Sequence, residues 1–259
     1  MGLAPNLSTR HKSRMRVSVE LVPKSAEQVR ADAAVVRAAS PAFTALNIPD
    51  LTHFDLRSWE GCRLTKDIFA ASIPHIRAID LGEREEDELC RFLHEHDLSE
   101  VLVVKGDPPR DLSRRTYPNA SEDVIRRLKS RLPNLRVFAA FDPYRHGFYL
   151  ELEGVRRKVE AGADGFFTQP IFDLHLLRVC ADLLHGHEVY WGISPVLGHR
   201  SRSYWETTNK VVFPREFAPT MAWNKAFAAR ALNTIRDLAG NAYLMPVRVT
   251  LSDYLDGIL

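Results

Sequence analysis

Residues 155–169 read Val155-Arg156-Arg157-Lys158-Val159-Glu160-Ala161-Gly162-Ala163-Asp164-Gly165-Phe166-Phe167-Thr168-Gln169. Helical periodicity that begins at Phe148 runs to Ala161, and Gly162 then supplies a residue at ease in the left-handed region, where helices commonly end. An apolar run, Gly165 to Gln169, follows almost at once. A helix joined to a strand by so short a connection is half of a βα repeat, and the alternation recurs on both sides. Candidate strands are Val17–Leu21, Phe43–Ile48, Ser72–Ala78, Val101–Lys105, Arg136–Phe141, Gly165–Gln169, Glu188–Ile193 and Tyr243–Val247. Helical patterns between them cover Ala26–Ala39, Leu56–Ala70, Glu83–His96, Ser121–Arg131, Phe148–Ala161, Leu174–Leu184 and Ala218–Leu238, with a shorter one at Arg202–Asn209.

Eight such alternations fit a closed barrel or a doubly wound open sheet. An open dinucleotide-binding sheet needs a GxGxxG turn after an early strand, and none of the 13 glycines forms one. The sequence therefore predicts an α/β protein made of a single (β/α)8 TIM barrel over residues 17–259. Its 259 residues match the roughly 250 such a barrel uses.

Composition narrows the function. With 35 Lys+Arg against 33 Asp+Glu, the charge balance points to no nucleic acid and no anionic membrane as partner. No apolar run reaches the roughly 18–20 residues of a transmembrane helix. Residues 1–16, read as an N-terminal tail, carry Arg10, Lys12, Arg14 and Arg16 but lead into no apolar signal core, so the expected compartment is the cytoplasm. Cys62, Cys90 and Cys180 share no close spacing and read as core thiols; no metal-ligand constellation is present. The outer helices of such a barrel are amphipathic in monomers and homo-oligomers alike, so either state fits.

Chemistry in an α/β barrel collects at the C-terminal ends of the strands. Glu20 ends the first strand with side-chain parity opposite to Val17, Val19 and Leu21, which aims it into the mouth if those three pack outward. A buried salt bridge is the competing account, since an acid there must be paired or protonated. Asn47 ends the second strand, His75 lies in the third, Lys105-Gly106-Asp107 ends the fourth, Asp142 with Arg145 and His146 follows the fifth, and Gln169 ends the sixth. Asp107 stands before Pro108-Pro109 and reads equally as a turn cap; Gln169 reads equally as an amide that satisfies backbone. Arg156-Arg157-Lys158 reads as a solvated helix face, although three successive residues step by about 100° and so diverge.

Four segments together resemble the methylenetetrahydrofolate reductase family. They are Val17-Ser18-Val19-Glu20-Leu21-Val22-Pro23-Lys24, Leu102-Val103-Val104-Lys105-Gly106-Asp107-Pro108-Pro109, Arg157-Lys158-Val159-Glu160-Ala161-Gly162-Ala163-Asp164 leading to Thr168-Gln169-Pro170-Ile171-Phe172-Asp173, and Trp191-Gly192-Ile193-Ser194-Pro195-Val196. The resemblance implies a flavoprotein barrel that passes hydride from NADH or NADPH through FAD to 5,10-methylenetetrahydrofolate, giving 5-methyltetrahydrofolate. It places Glu20 as the general acid, Asp107 beside flavin and pterin, and Gln169 at the pterin edge. Flavin contacts implied in the same way are Asn47, His75, Lys105, Tyr117, Phe141, His146, Glu151, Arg157 and Lys158, the last two for the diphosphate. Asn47, Lys105 and Phe141 stand where well-studied bacterial members have Thr, Arg and Tyr. A folate-binding barrel without reductase activity, serving a one-carbon assembly, and a reductase without tightly bound flavin are the alternatives.

Overall fold

The computed structural model describes residues 15–109 and 115–259; residues 1–14 of the expected tail lie outside the described residues. Eight parallel strands close into one barrel in sequence order: β1 (Val17–Glu20), β2 (Ala45–Ile48), β3 (Ala71–Arg77), β4 (Glu100–Val104), β5 (Arg136–Phe141), β6 (Gly165–Pro170), β7 (Val189–Ile193) and β8 (Asn241–Leu244). The fold is the (β/α)8 barrel that the alternation predicts. Helices α1 (Ala26–Ala39), α2 (Ser58–Thr65), α3 (Glu83–Glu95), α4 (Ser121–Arg131), α5 (Phe148–Glu160) and α6 (Leu174–Leu183) each join successive strands. Two helices, α7 (Gly198–Thr208) and α8 (Met221–Asp237), lie between β7 and β8, and α9 (Leu251–Leu255) follows β8. No described helix is long and apolar enough to cross a membrane.

Strand alternation sorts the core into two layers. Val17, Val19, Val101, Val103, Val137, Ala139 and Phe141 face outward and pack with helix residues such as Val29, Ala33 and Val36 of α1. The opposite parity fills the barrel with Ile73, Leu102, Phe138, Phe167, Tyr190, Tyr243 and Met245. Phe167 stacks on Tyr190 with ring centroids 4.1 Å apart, and Phe138 meets both edge-on at 5.2 and 5.4 Å. This aromatic layer seals the barrel axis beneath the C-terminal face.

Helix starts follow local chemistry. Asp173 accepts from the amides of His175 (2.7 Å) and Leu176 (3.0 Å), and Ser25 from that of Gln28 (3.1 Å). Most elements end within a few residues of the sequence reading; one strand and one helix depart from it in ways that matter. The last strand is Asn241–Leu244 rather than Tyr243–Val247, because its pairing with β1 and β7 uses Asn241 to Leu244 while Pro246 has no N–H for a ladder. Helix α9 has five residues, too few for periodicity to reveal.

Candidate active site

The barrel mouth opens into a cavity of about 330 Å³ lined by Glu20, Asp50, His75, Arg77, Lys105, Asp107, Asp142, Arg145, Gln169 and Tyr243. The aromatic layer, through Phe167 and Tyr243, forms its floor. Glu20 reaches it because Val17 and Val19 occupy the outward face of β1, leaving Ser18 and Glu20 inside.

Glu20 accepts a hydrogen bond from the Tyr243 hydroxyl. Among the described residues no cation lies within ion-pair distance of this carboxyl. Burial raises it to about 7, and the Tyr243 bond offsets part of that rise. The same burial, with the neighbouring carboxylate, pushes the Tyr243 phenol well above its ordinary value. Near neutral pH, then, a large fraction of Glu20 still carries its proton.

A second buried chain lies beside it. The Ser18 hydroxyl donates to Asn47 Oδ1, which leaves Asn47 Nδ2 facing His75 Nε2 at 3.3 Å. With Nδ2 as donor, Nε2 accepts, and the imidazole proton is assigned to Nδ1. Burial pushes His75 down to about 3, so the ring is neutral.

Close backbone approach sets Gln169. Register shifts between Phe167 and Pro170, where Pro170 pairs with Gly192, and this bulge presents Gln169 to the cavity. A Cβ on Gly192 would lie 2.6 Å from the Thr168 carbonyl oxygen and 3.0 Å from the Gln169 carbonyl carbon. Glycine there is what lets β6 pass.

The other expected residues divide. Glu20, His75, Lys105, Asp107 and Gln169 meet at the cavity with Asn47 just behind. His146 is exposed in the loop after β5. Tyr117 lies elsewhere, bonded to Glu85 (3.1 Å) in a groove with Gly82 and Arg127. Phe141 packs in the outer core layer, and Glu151 is buried in the first turn of α5. The three cations of α5 diverge: Arg156 pairs with Glu153, Arg157 with Glu122 (3.1 Å), and Lys158 donates to the Ala140 carbonyl (2.7 Å). Burial holds the Lys158 ammonium below its ordinary value, and no described carboxylate lies within ion-pair distance. Tyr243 and Arg77 are cavity residues that the sequence reading passed over. Arg77 shares parity with His75, which was the available signal.

The methylenetetrahydrofolate reductase family profile matches residues 14–229. The chain belongs to this family. Solved structures agree on architecture. An uncharacterized protein from Clostridium thermocellum, described as binding two copies of 5-methyl-5,6,7,8-tetrahydrofolic acid, superposes with a TM-score of 0.65 at 12% identity, covering 94% of each chain. The 2,3-dimethylmalate lyase of the PEP mutase/isocitrate lyase superfamily gives 0.56 at 12% identity, over 91% of this chain and 75% of its own. At such identities the likeness shows the barrel alone. Membership in the family gives the chain a folate-related, reductase-like function.

Proposed function

We propose that this chain reduces 5,10-methylenetetrahydrofolate to 5-methyltetrahydrofolate at the barrel mouth, with NADH or NADPH as electron source. The observation that carries the reading is Glu20, an acid lifted to about 7 inside the cavity and capped by Tyr243. Reduction breaks one C–N bond of the bridging methylene, adds hydride to that carbon and a proton to the departing nitrogen. A carboxyl still protonated near pH 7 supplies that proton. Gln169 holds the pterin edge through its amide, Asp107 binds the same ring from the β4 side, and the aromatic floor excludes water beneath it. The folate ligand of the Clostridium thermocellum barrel supports a reduced folate as the class of substrate.

Some of the residues suit FAD. Lys158 is a half-buried ammonium without a carboxylate partner among the described residues, and a diphosphate would offset its desolvation. Asn47, His75 and Lys105 would meet the flavin ring. When bound, FAD would carry hydride between nicotinamide and folate. Tyr117, Phe141 and Arg157 are turned to other partners and lend it no support here.

The test is turnover of 5,10-methylenetetrahydrofolate by purified protein with each nicotinamide nucleotide, beside its visible absorption spectrum. Formation of 5-methyltetrahydrofolate with a flavin spectrum is expected. Folate binding without turnover, even with added FAD, would leave a binding barrel; turnover by a colourless protein would remove the flavin.

A further inference from the structure

Arg77 closes β3 and lines the mouth cavity, yet its guanidinium is committed to protein. Its Nε donates to Asp80 (2.9 Å) and its Nη2 to the main-chain carbonyl of Asp107 (2.6 Å). Asp80, 8% exposed, also lies 4.0 Å from Arg57, which grips Asp50 through two bonds of 3.0 and 2.6 Å. A line of alternating charge, Asp50–Arg57–Asp80–Arg77, thus crosses the loops after β2 and β3 and ends on the backbone of the loop after β4.

That loop is shaped to receive it. Gly106 has φ +84°, and a Cβ there would lie 3.2 Å from Arg77 Cβ and 3.3 Å from its Cζ. The guanidinium stem therefore lies flat against the glycine. Ile79 adds a second tie, its amide donating to the Lys105 carbonyl at 3.1 Å. The Lys105 side chain, which precedes the glycine, is exposed and makes no hydrogen bond among the described residues.

We propose that Arg77 is a positioning residue that fixes the Gly106-Asp107 peptide and so aims the Asp107 carboxylate at the substrate ring, an inference resting on Asp107 as a folate ligand. Guanidinium suits the task because its N–H groups hold two partners at a fixed angle, one carboxylate and one carbonyl. An ammonium at the same place keeps the charge and satisfies one partner well.

The experiment uses the full chain with Arg77→Lys, Asp107→Asn and the double variant. It measures melting temperature, the Kd for 5-methyltetrahydrofolate, and KM and kcat for 5,10-methylenetetrahydrofolate. Arg77→Lys should keep the melting temperature within a few degrees and kcat within about threefold, while Kd and KM rise about tenfold, as for one lost charged hydrogen bond. The double variant should bind no more weakly than Asp107→Asn alone, because a carboxylate that is gone cannot be misaimed. Additive losses in the double variant, or an unchanged Kd in Arg77→Lys beside a weakened Asp107→Asn, would overturn the role of Arg77. An unchanged Kd in Asp107→Asn would instead remove Asp107 as a ligand and the inference with it. If Arg77→Lys fails to fold, Asp80→Asn, which loosens the Nε anchor, should raise Kd in the same direction; no rise there overturns the proposal.

Discussion

The two ends of this barrel treat the titratable groups on their axis differently. At the N-terminal end, Arg16 grips Glu100 through two bonds of 2.8 and 2.7 Å, Arg136 reaches Glu100 (2.9 Å) and Glu188 (2.6 Å), and Asn241 bridges Glu188 to the Arg16 amide at 3.1 and 2.9 Å. Arg16 and Arg136 also lie over the Tyr190 and Phe138 rings. At the mouth, Glu20 and His75 are desolvated without an ion-pair partner among the described residues, inside a rim where Arg57 pairs with Asp50 and Arg77 with Asp80. Ion pairs close the barrel at one end; at the other, inside a rim of ion pairs, an acid and an imidazole without an ionic partner face the cavity. Polar residues at a barrel's two ends thus carry different messages, stability below and chemistry above.

Substitutions sharpen that contrast, the largest effect first. Glu20→Gln keeps shape and loses the proton, so turnover of the folate should fall by about 10² to 10⁴ while folate binding and the melting curve stay close to wild type. Steady-state and single-turnover assays read this, and near-normal turnover would take Glu20 out of the mechanism. At the other end, Glu100→Ala leaves two partly exposed arginines without their shared acceptor. A loss of about 2 kcal/mol, roughly 4–8 °C in melting temperature, is expected with kcat unchanged. A loss of kcat in the folded variant would erase the division between the two ends.

Gln169→Ala should raise KM for the folate about tenfold through one or two lost hydrogen bonds. Unaltered folate kinetics with a lower melting temperature would return Gln169 to a backbone role. Tyr243→Phe has the smallest effect and the most informative sign. The Tyr243 bond favours ionised Glu20, so its removal raises the Glu20 value further above 7. Because the protonated acid is the working form, the alkaline fall in kcat should move to higher pH, by about one unit or less. A move to lower pH would show that the Tyr243 hydroxyl stabilises the protonated, not the ionised, form of Glu20.

Most of the architecture was legible because a βα repeat writes itself twice, in strand composition and in the punctuation at helix ends. Alternation in Val17-Ser18-Val19-Glu20 was enough to turn Glu20 inward. Tyr243 was hidden by a boundary. Ala242-Tyr243-Leu244-Met245 continues through Pro246 to Val247 as an apolar run, so composition puts the strand two residues late and Tyr243 at its far end. In the true register Tyr243 pairs with Ser18 and leans along the strand to Glu20. Arg77 was missed for another reason: its significance lies in a carbonyl thirty positions away, and periodicity carries no information about that. Tyr117 and Phe141 show the converse limit, since a matching position in a motif does not fix which way a side chain turns.

The packed rings of Phe138, Phe167 and Tyr190 make the mouth a well with a single door. Whatever arrives at Glu20 must leave by the way it came, past the same rim of Lys105, Asp107 and Gln169. Substrate and product of the proposed reaction share the same ring, so a spent molecule that lingers beside that acid bars the next. Traffic through the door, as much as proton transfer at the bottom, is what a turnover number for this barrel would record.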